Sequence, residues 1–426
     1  MLRAFVNAFK IPDLRKKILF TLAIIGIYRL GCHVPVPVVD IGALQAALKG
    51  GQGFLSFIDL FSGGALTRMA VFALGIMPYI TSSIIMQLLT VVIPKLEQWQ
   101  KQGEAGTKKI TQWTRYMTVT LALLQSTGLV FLFHSKSQSL GGIDIFPAGK
   151  FTPGNVALIV LTLTAGTALI MWMGELITQR GIGNGMSIMI FASIISRLPQ
   201  EGSAILKQAG PGKFFAILLI AMLIIVAVVF MEQGQRRIPV QYAKRVVGRK
   251  MTQGGSTYIP LKVNQAGVIP IIFASSVLYF PSLLASTIHK TWMQNLVDSM
   301  LRPSSAVYML LYGTLVVFFA YFYTAIAFNP VDTADNIRKY GGFIPGIRPG
   351  APTAKYLNDV LVRITLPGSL FLASIALVPS VFLALWSIQQ FPFGGTSILI
   401  TVGVALETMK QIESQLLMRH YEGFLR

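Results

Sequence analysis

The sequence predicts an all-α polytopic membrane protein of ten transmembrane helices, with a short additional helix that cannot cross. Three observations carry this. Of 426 residues, 53% are hydrophobic and only 12% charged, with a mean hydropathy of +0.63, as in polytopic membrane proteins. Apolar runs recur along the whole chain with basic residues in the gaps. The stretch Gly53 to Pro94 divides into two unequal apolar pieces. Phe54 to Leu66, at ~1.5 Å per residue, reaches only about 20 Å of a ~30 Å hydrocarbon core. Gly63-Gly64 breaks it, Thr67-Arg68 is polar, and Met69 to Ile93 is long enough to cross, interrupted by Pro78. Irregular backbone at membrane depth is tolerated only where it is buried in protein or lines a wet cavity. One reading is a re-entrant helix beside a pore or vestibule; the other is an amphipathic helix lying on the membrane surface.

Hydropathy places the spans at 18–34, 69–93, 113–133, 156–176, 186–198, 214–231, 267–288, 306–328, 364–386 and 396 to about 415. The first follows Arg15-Lys16-Lys17 without a trustworthy cleavage pattern and reads as a retained span. The fifth is short and the last turns polar after Leu406, so both belong inside the bundle. Pro78 and Pro270 fall in mid-span as candidate kinks.

Lys and Arg set the orientation. One side carries 26 and the other nine, with Arg29 inside the first span, so both termini face the cytoplasm. Five spans precede the 199–213 connection and five follow, dividing the chain into 1–205 and 206–426. That permits two inverted five-helix halves, although no convincing internal repeat is visible.

Two connections on the basic side are long. Residues 232–265 hold Arg236, Arg237, Lys244, Arg245, Arg249, Lys250 and Lys262 against one acid, Glu232, and Gly254-Gly255 suggests a hairpin. Residues 329–362 contain FIPGIRPG, where Pro345-Gly346 and Pro349-Gly350 bracket Arg348. Basic character follows from the side they occupy; their length suits docking of a large partner.

A formal charge of +20 and a pI near 10.1 would suit nucleic acid, but these cations lie where topology demands them, so any RNA contact is made at a membrane face. Cys32 is the single cysteine, and His33, His134, His289 and His420 lack ligand spacing, which gives no metal site. There is no GxxxxGK[ST] loop, HExxH or GxSxG, and the spans hold no carboxylate pair. Arg180-Gly-Ile-Gly-Asn-Gly185 lies between spans with no preceding strand and is a weak nucleotide fingerprint. These features predict a non-enzyme without cofactors. Charges near the spans are few, Arg29, Glu175, Arg197 and Glu407 among them, whereas an inverted-repeat secondary transporter, the alternative reading, needs ionisable groups near the midplane. A hydrocarbon-lined passage resists ion leak by dewetting and suits a sequence-indifferent polymer.

FSGGALTRMAVFALGIMPYI, QRGIGNGMSIMIF, QRRIPVQYAKR, PLKVNQAGVIPIIFASS, FNPVDTADNIRKYGGFIPGIRPG and GGTSILI resemble the SecY family, the channel subunits of the bacterial Sec translocon, in order and spacing across essentially the whole chain. The resemblance implies two pseudosymmetric halves around an hourglass pore in the bacterial cytoplasmic (inner) membrane. It implies that unfolded secretory chains pass through while signal peptides and membrane segments leave sideways into the lipid bilayer. Residues 54–66 match the family's plug, which includes Phe54, Leu55, Phe57, Ile58, Leu60, Phe61, Ser62, Gly63 and Gly64. Ile76, Ile80, Ile190, Ile272 and Ile400 match the aliphatic pore ring; Ile76 and Ile80, four apart, share a helix face. The second and seventh spans match the lateral gate, where Gln125 and Asn264 are the polar candidates for its seam. The basic loops match the docking surface for the SecA ATPase or the ribosome. Arg236, Arg237 and Arg348 match that surface most directly, and Lys244, Arg245, Arg249 and Lys250 add charge for RNA phosphates. The implied membrane partners are SecE and SecG.

Overall fold

The computed structural model describes residues 9, 11–44, 59, 61–139, 146, 151–242, 245–247, 250–252, 256–275, 277–278, 305–386 and 395–424. The first helix, α1 (Pro12–Gly31), opens with Pro12 and Asp13 and closes with Arg29, matching charge to the helix dipole. Leu14, Ile18, Thr21, Ile24 and Tyr28 form its buried stripe, while the opposite face shows Leu19, Leu22, Ile27 and Leu30. A helix apolar on both faces is suited to lipid. It is followed by α2 (Met77–Val92), α3 (Pro94–Lys101), α4 (Glu104–Ser139) and α5 (Pro153–Arg180).

The second expected span is shorter than the hydropathy suggested. Residues 63–76 run as turns and the helix starts only at Met77. Two left-handed residues, Met69 (φ 43) and Gly75 (φ 58), break the helical path. Pro78 occupies the first turn of α2, where its missing N–H costs nothing, so it does not kink a span. The irregular backbone is pinned by Val36 N–H to Met69 O (2.8 Å) and Val71 N–H to Val34 O (2.9 Å). Leu66, Met69, Ala70, Ala73 and Ile76 are fully buried, the condition under which such backbone survives at membrane depth. Pro270 repeats the pattern: the helix begins at 269, and the proline sits in its opening turn.

The fifth expected span also differs. Helix runs without a loop from Gly185 to Gln233 and breaks only at Gly210 (φ 77, ψ 168), giving α6 (185–209) and α7 (Gly210–Gln233). The 199–213 connection is therefore largely helical. Residues 200–209 are mostly good helix formers, and the Gly210-Pro211-Gly212 triplet supplies the break.

Beyond α7 come β1 (Gln235–Tyr242), β2 (Arg245–Val247), β3 (Lys250–Thr252), β4 (Ser256–Lys262), α8 (Ala306–Ala327), α9 (Pro330–Lys339), β5 (Gly342–Phe343), α10 (Ala351–Trp386) and α11 (Gly395–Phe424). Among the described residues five helices are long and apolar enough to cross a membrane. The pair α2 and α3, bent by 100°, makes a sixth. The seventh expected span lies partly outside the described residues, and α1, α6 and α11 occupy the first, fifth and tenth positions.

The described residues pack as two compact units, one of residues up to 208 with 404–424 and one of 209–278 with 305–403. In the first, Val36, Leu66, Met69, Leu129, Phe133 and Leu163 build one core, and Leu14, Ile18, Ile182 and Ile412 a smaller one. In the second, Val228, Ile271, Tyr312, Val316 and Leu372 pack the helices. A separate cluster of Ile238, Val240, Leu261, Ile337, Ile344 and Leu357 supports the sheet.

Candidate functional site

Three groups of side chains are candidates for function. The first surrounds the end of the short helix. Of the residues expected there, Phe54, Leu55, Phe57, Ile58 and Leu60 lie outside the described residues. Asp59 and Phe61–Gly64 lie within them, and Phe61 and Ser62 are fully buried, against the surface-helix reading for this end. Gly63 (φ 64) and Gly64 (φ 86) end the helix in left-handed conformations, as the Gly-Gly pair foretells. Its terminal carbonyls, which lack intrahelical partners, are met by α1. Arg29 Nη1 donates to Gly63 O (2.9 Å), and the Tyr28 hydroxyl (3.4 Å) and Cys32 thiol (3.7 Å) donate to Ser62 O.

From α6, Ser193 Oγ bonds the Tyr28 hydroxyl (2.7 Å) and Arg197 Nη1 meets Asp59 Oδ2 at 2.9 Å. The other carboxylate oxygen, Asp59 Oδ1, accepts from Thr67 N–H (3.1 Å) and Ser62 Oγ (3.4 Å). Sequence reading missed Tyr28, Asp59 and Ser193 altogether and took Arg197 only as a charge near a span. The available signal was an acid in a membrane-depth helix, which needs a buried cation.

The second group is aliphatic. Ile76 (fully buried) caps α2 and Ile80 N–H bonds back to Ile76 O at 3.1 Å. Ile76 therefore precedes the helix body, yet stands one turn from Ile80. Ile190, Ile272 and Ile400 are buried and lie five residues or fewer after the starts of their helices at 185, 269 and 395. Every one of the five thus belongs to the opening turns of a helix. Ile76, Ile80 and Ile190 belong to the first unit, Ile272 and Ile400 to the second. A repeat also emerges. Gly75-Ile-Met-Pro78 and Gly267-Val-Ile-Pro270 share sequence pattern, left-handed glycines (φ 58 and 60) and a helix start at the third residue. Four residues are too few to stand out in 426 without their conformation.

Of the polar gate candidates, Gln125 is half-buried on α4. Asn264 is buried, and its amide donates to Glu232 Oε1 (2.7 Å) and Gly267 O (3.2 Å). The one acid of the 232–265 connection is thus the partner of its asparagine.

The third group is the basic sheet. β1 pairs antiparallel with β4 over Gln235–Gln241 and Ser256–Lys262, and β2 with β3 in the same register. Both ladders centre between 248 and 249, ahead of the expected turn. Gly254-Gly255 lies outside the described residues; a hairpin centred on it would set β1 against residues 267–274, where the next helix begins. The second connection joins the same sheet, β5 adding to the free edge of β1. Arg236, Arg237 and Arg348 are exposed, and the Arg237 guanidinium stacks over Tyr258 at 4.9 Å. Ile344-Pro-Gly-Ile347 closes a turn with Gly346 at φ 82, as the Pro-Gly signal requires, and delivers Arg348 directly after it. Arg245 stands on β2 opposite Thr252 and Lys250 on β3 opposite Val247, while Lys244 and Arg249 lie outside the described residues.

The glycine-rich 180–185 motif is a packing joint. Ile182 N–H bonds Thr21 Oγ1 (3.2 Å) and Asn184 Oδ1 caps α6; a Cβ at Gly185 would collide with the Gly174 carbonyl. Among the described residues no cluster of His, Cys, Asp and Glu could hold a metal ion.

A SecY family model matches residues 70–409. The protein translocase subunit SecY of Streptomyces coelicolor is 56% identical, with 100% of both chains covered. Among solved structures, a SecY channel whose plug domain stabilises the closed state and maintains a membrane seal aligns with a TM-score of 0.64 at 15% identity, over 96% of each chain. Sec61 in a canine ribosome–channel complex from the endoplasmic reticulum aligns with 0.61 at 15%, again over 96% of each. Full-length identity at this level leaves one assignment: the chain belongs to the SecY family.

Proposed function

We propose that the chain is a gated protein-conducting channel of a bacterial cytoplasmic membrane, with both termini in the cytoplasm. Unfolded secretory chains pass through it, and hydrophobic signal and membrane segments leave sideways into lipid. The observation that carries this reading is a helix end, Asp59 and Phe61–Gly63, buried and held by α1 through Arg29 and by α6 through Arg197 in a chain of this family. It is the stub of a plug covering 54–66.

Ile76, Ile80, Ile190, Ile272 and Ile400 form the constriction, whose aliphatic surface excludes ions by dewetting and grips no particular side chain. Gln125 and Asn264 mark the lateral gate on the second, third and seventh spans. The Asn264–Glu232 bond holds the start of the seventh against the end of the sixth. A membrane hydrogen bond of this kind is worth only about 1 kcal/mol, which suits a seam that opens.

The sheet of β1, β4 and β5, with Arg236, Arg237 and Arg348 exposed, docks the SecA ATPase or the ribosome. Lys244, Arg245, Arg249 and Lys250 add charge, and SecE and SecG complete the complex. A ribosome partner is supported by the Sec61 relative, described in a ribosome–channel complex. The chain performs no chemistry itself, and the docked partner supplies the driving force.

The test is cross-linking. With Cys32 replaced by Ser, a cysteine at Ile80 or Ile272 is paired with a secretory chain arrested in mid-export and carrying one cysteine. A disulfide at both positions, with none at Leu219 or Phe318, which are exposed on their helices, is the expected result. Absence of the ring disulfide from a client shown to be in transit would place the path elsewhere.

A further inference from the structure

We propose that Asp59 and Arg197 are positioning residues that seat the short helix in one place and make the closed channel reversible; this rests on the plug reading above. The two charges meet at 2.9 Å with side chains only 4% and 19% exposed. Asp59 is also the organiser of the turn after the helix. It binds Thr67 N–H and Ser62 Oγ through its carboxylate, and its main-chain oxygen accepts from Gly64 N–H (3.1 Å). Arg197 thereby grips the turn as a unit, while Arg29 and Tyr28, whose hydroxyl is bonded by Ser193, secure the carbonyls beside it.

An ion pair suits this task better than more apolar contact. Desolvating two charges nearly cancels their mutual attraction, so the pair is close to break-even against water, whereas leaving one of them buried alone is strongly unfavourable. The pair therefore fixes where the helix end sits without adding a large barrier to its departure. When the helix leaves and water enters, both charges are solvated and little is lost. Two states of similar free energy are what a small input from a client can switch.

The experiment measures resting ion conductance and client export of the full channel complex in lipid vesicles. Asp59→Asn keeps the acceptor for Thr67 but removes the countercharge that faces Arg197, and Arg197→Met removes the one that faces Asp59. Each single variant is expected to raise resting conductance roughly tenfold or more. Each is also expected to export a client with a weakened signal segment better than wild type does, while still exporting a normal client, which shows assembly. The double variant Asp59→Asn/Arg197→Met removes both charges together and is expected to seal nearly as wild type. Independent roles for the two residues would instead give additive damage.

Singles that seal as wild type, or a double variant that leaks as much as the two singles together, would overturn the proposal. A variant lacking 54–66 separates the two readings. If it leaks while Asp59→Asn seals, only the ion-pair role fails; if neither leaks, the plug reading fails with it.

Discussion

Gly75 and Gly267 show how much a single residue decides. Both hold φ near +60°, a conformation that costs a residue with a Cβ about 1–2 kcal/mol. Their surroundings differ. A Cβ at Gly75 would lie 3.0 Å from Phe61 O and Ser62 Cα, whereas at Gly267 nothing stands within 4 Å. Gly267→Ala is therefore expected to lose only the conformational term, and Gly75→Ala at least about 1 kcal/mol more from the forced contact. Thermal unfolding of the two variants in detergent checks the order; equal losses would mean that the backbone at Gly75 relaxes freely. Asn264 offers a second comparison. Asn264→Leu leaves Glu232 Oε1 without its amide donor, at a cost of about 1–3 kcal/mol. Adding Glu232→Gln should recover much of it, because the group that lost the amide is then neutral, and the same unfolding measurement reads both.

At the level of elements, the two long connections are one structure. β5 lies on the edge of β1, and Ile337, Ile344 and Leu357 from the second connection pack with Ile238, Val240 and Leu261 of the first. Arg348 thus stands on a supported turn. Arg348→Glu is expected to leave the sheet and membrane assembly intact but to stop motor-driven export, because a reversed charge at a rigid position repels an acidic partner surface. Normal export by this variant would remove Arg348 from the proposed docking surface.

The hairpin, the Pro-Gly turn and the Gly63-Gly64 helix end were all legible in the sequence, because turn chemistry is local. The register of the hairpin was not, since either glycine-containing stretch, 248–249 or 254–255, satisfies the local rule. Only the start of the following helix decides between them. Likewise Pro78 and Pro270 read as mid-span kinks because hydropathy does not distinguish buried irregular backbone from helix. The true starts at Met77 and residue 269 depend on the left-handed glycines before them.

For the whole molecule, the residues proposed to line the constriction follow a rule that hydropathy cannot express. Isoleucine is common in any membrane helix, but Ile76, Ile80, Ile190, Ile272 and Ile400 all stand in the opening turns of their helices. Under that proposal their side chains face the passage, so their substitution is expected to affect sealing more than folding. Exchanging Ile80 or Ile272 for Ser, or deleting 54–66, is expected to raise the resting ion conductance of vesicles holding the complex. The reason differs in the two cases. On the proposed reading serine wets a passage that aliphatic side chains keep dry, whereas the deletion removes the proposed plug and leaves the lining unchanged. The combined variant should therefore leak more than either alone, and export of a normal client should persist in the Ser variants. Unchanged resting conductance in both single-feature variants would mean that neither the ring nor the short helix seals this protein. A leak in the Ser variants alone would assign the seal to the ring and leave the short helix a structural part of the α1 and α6 packing.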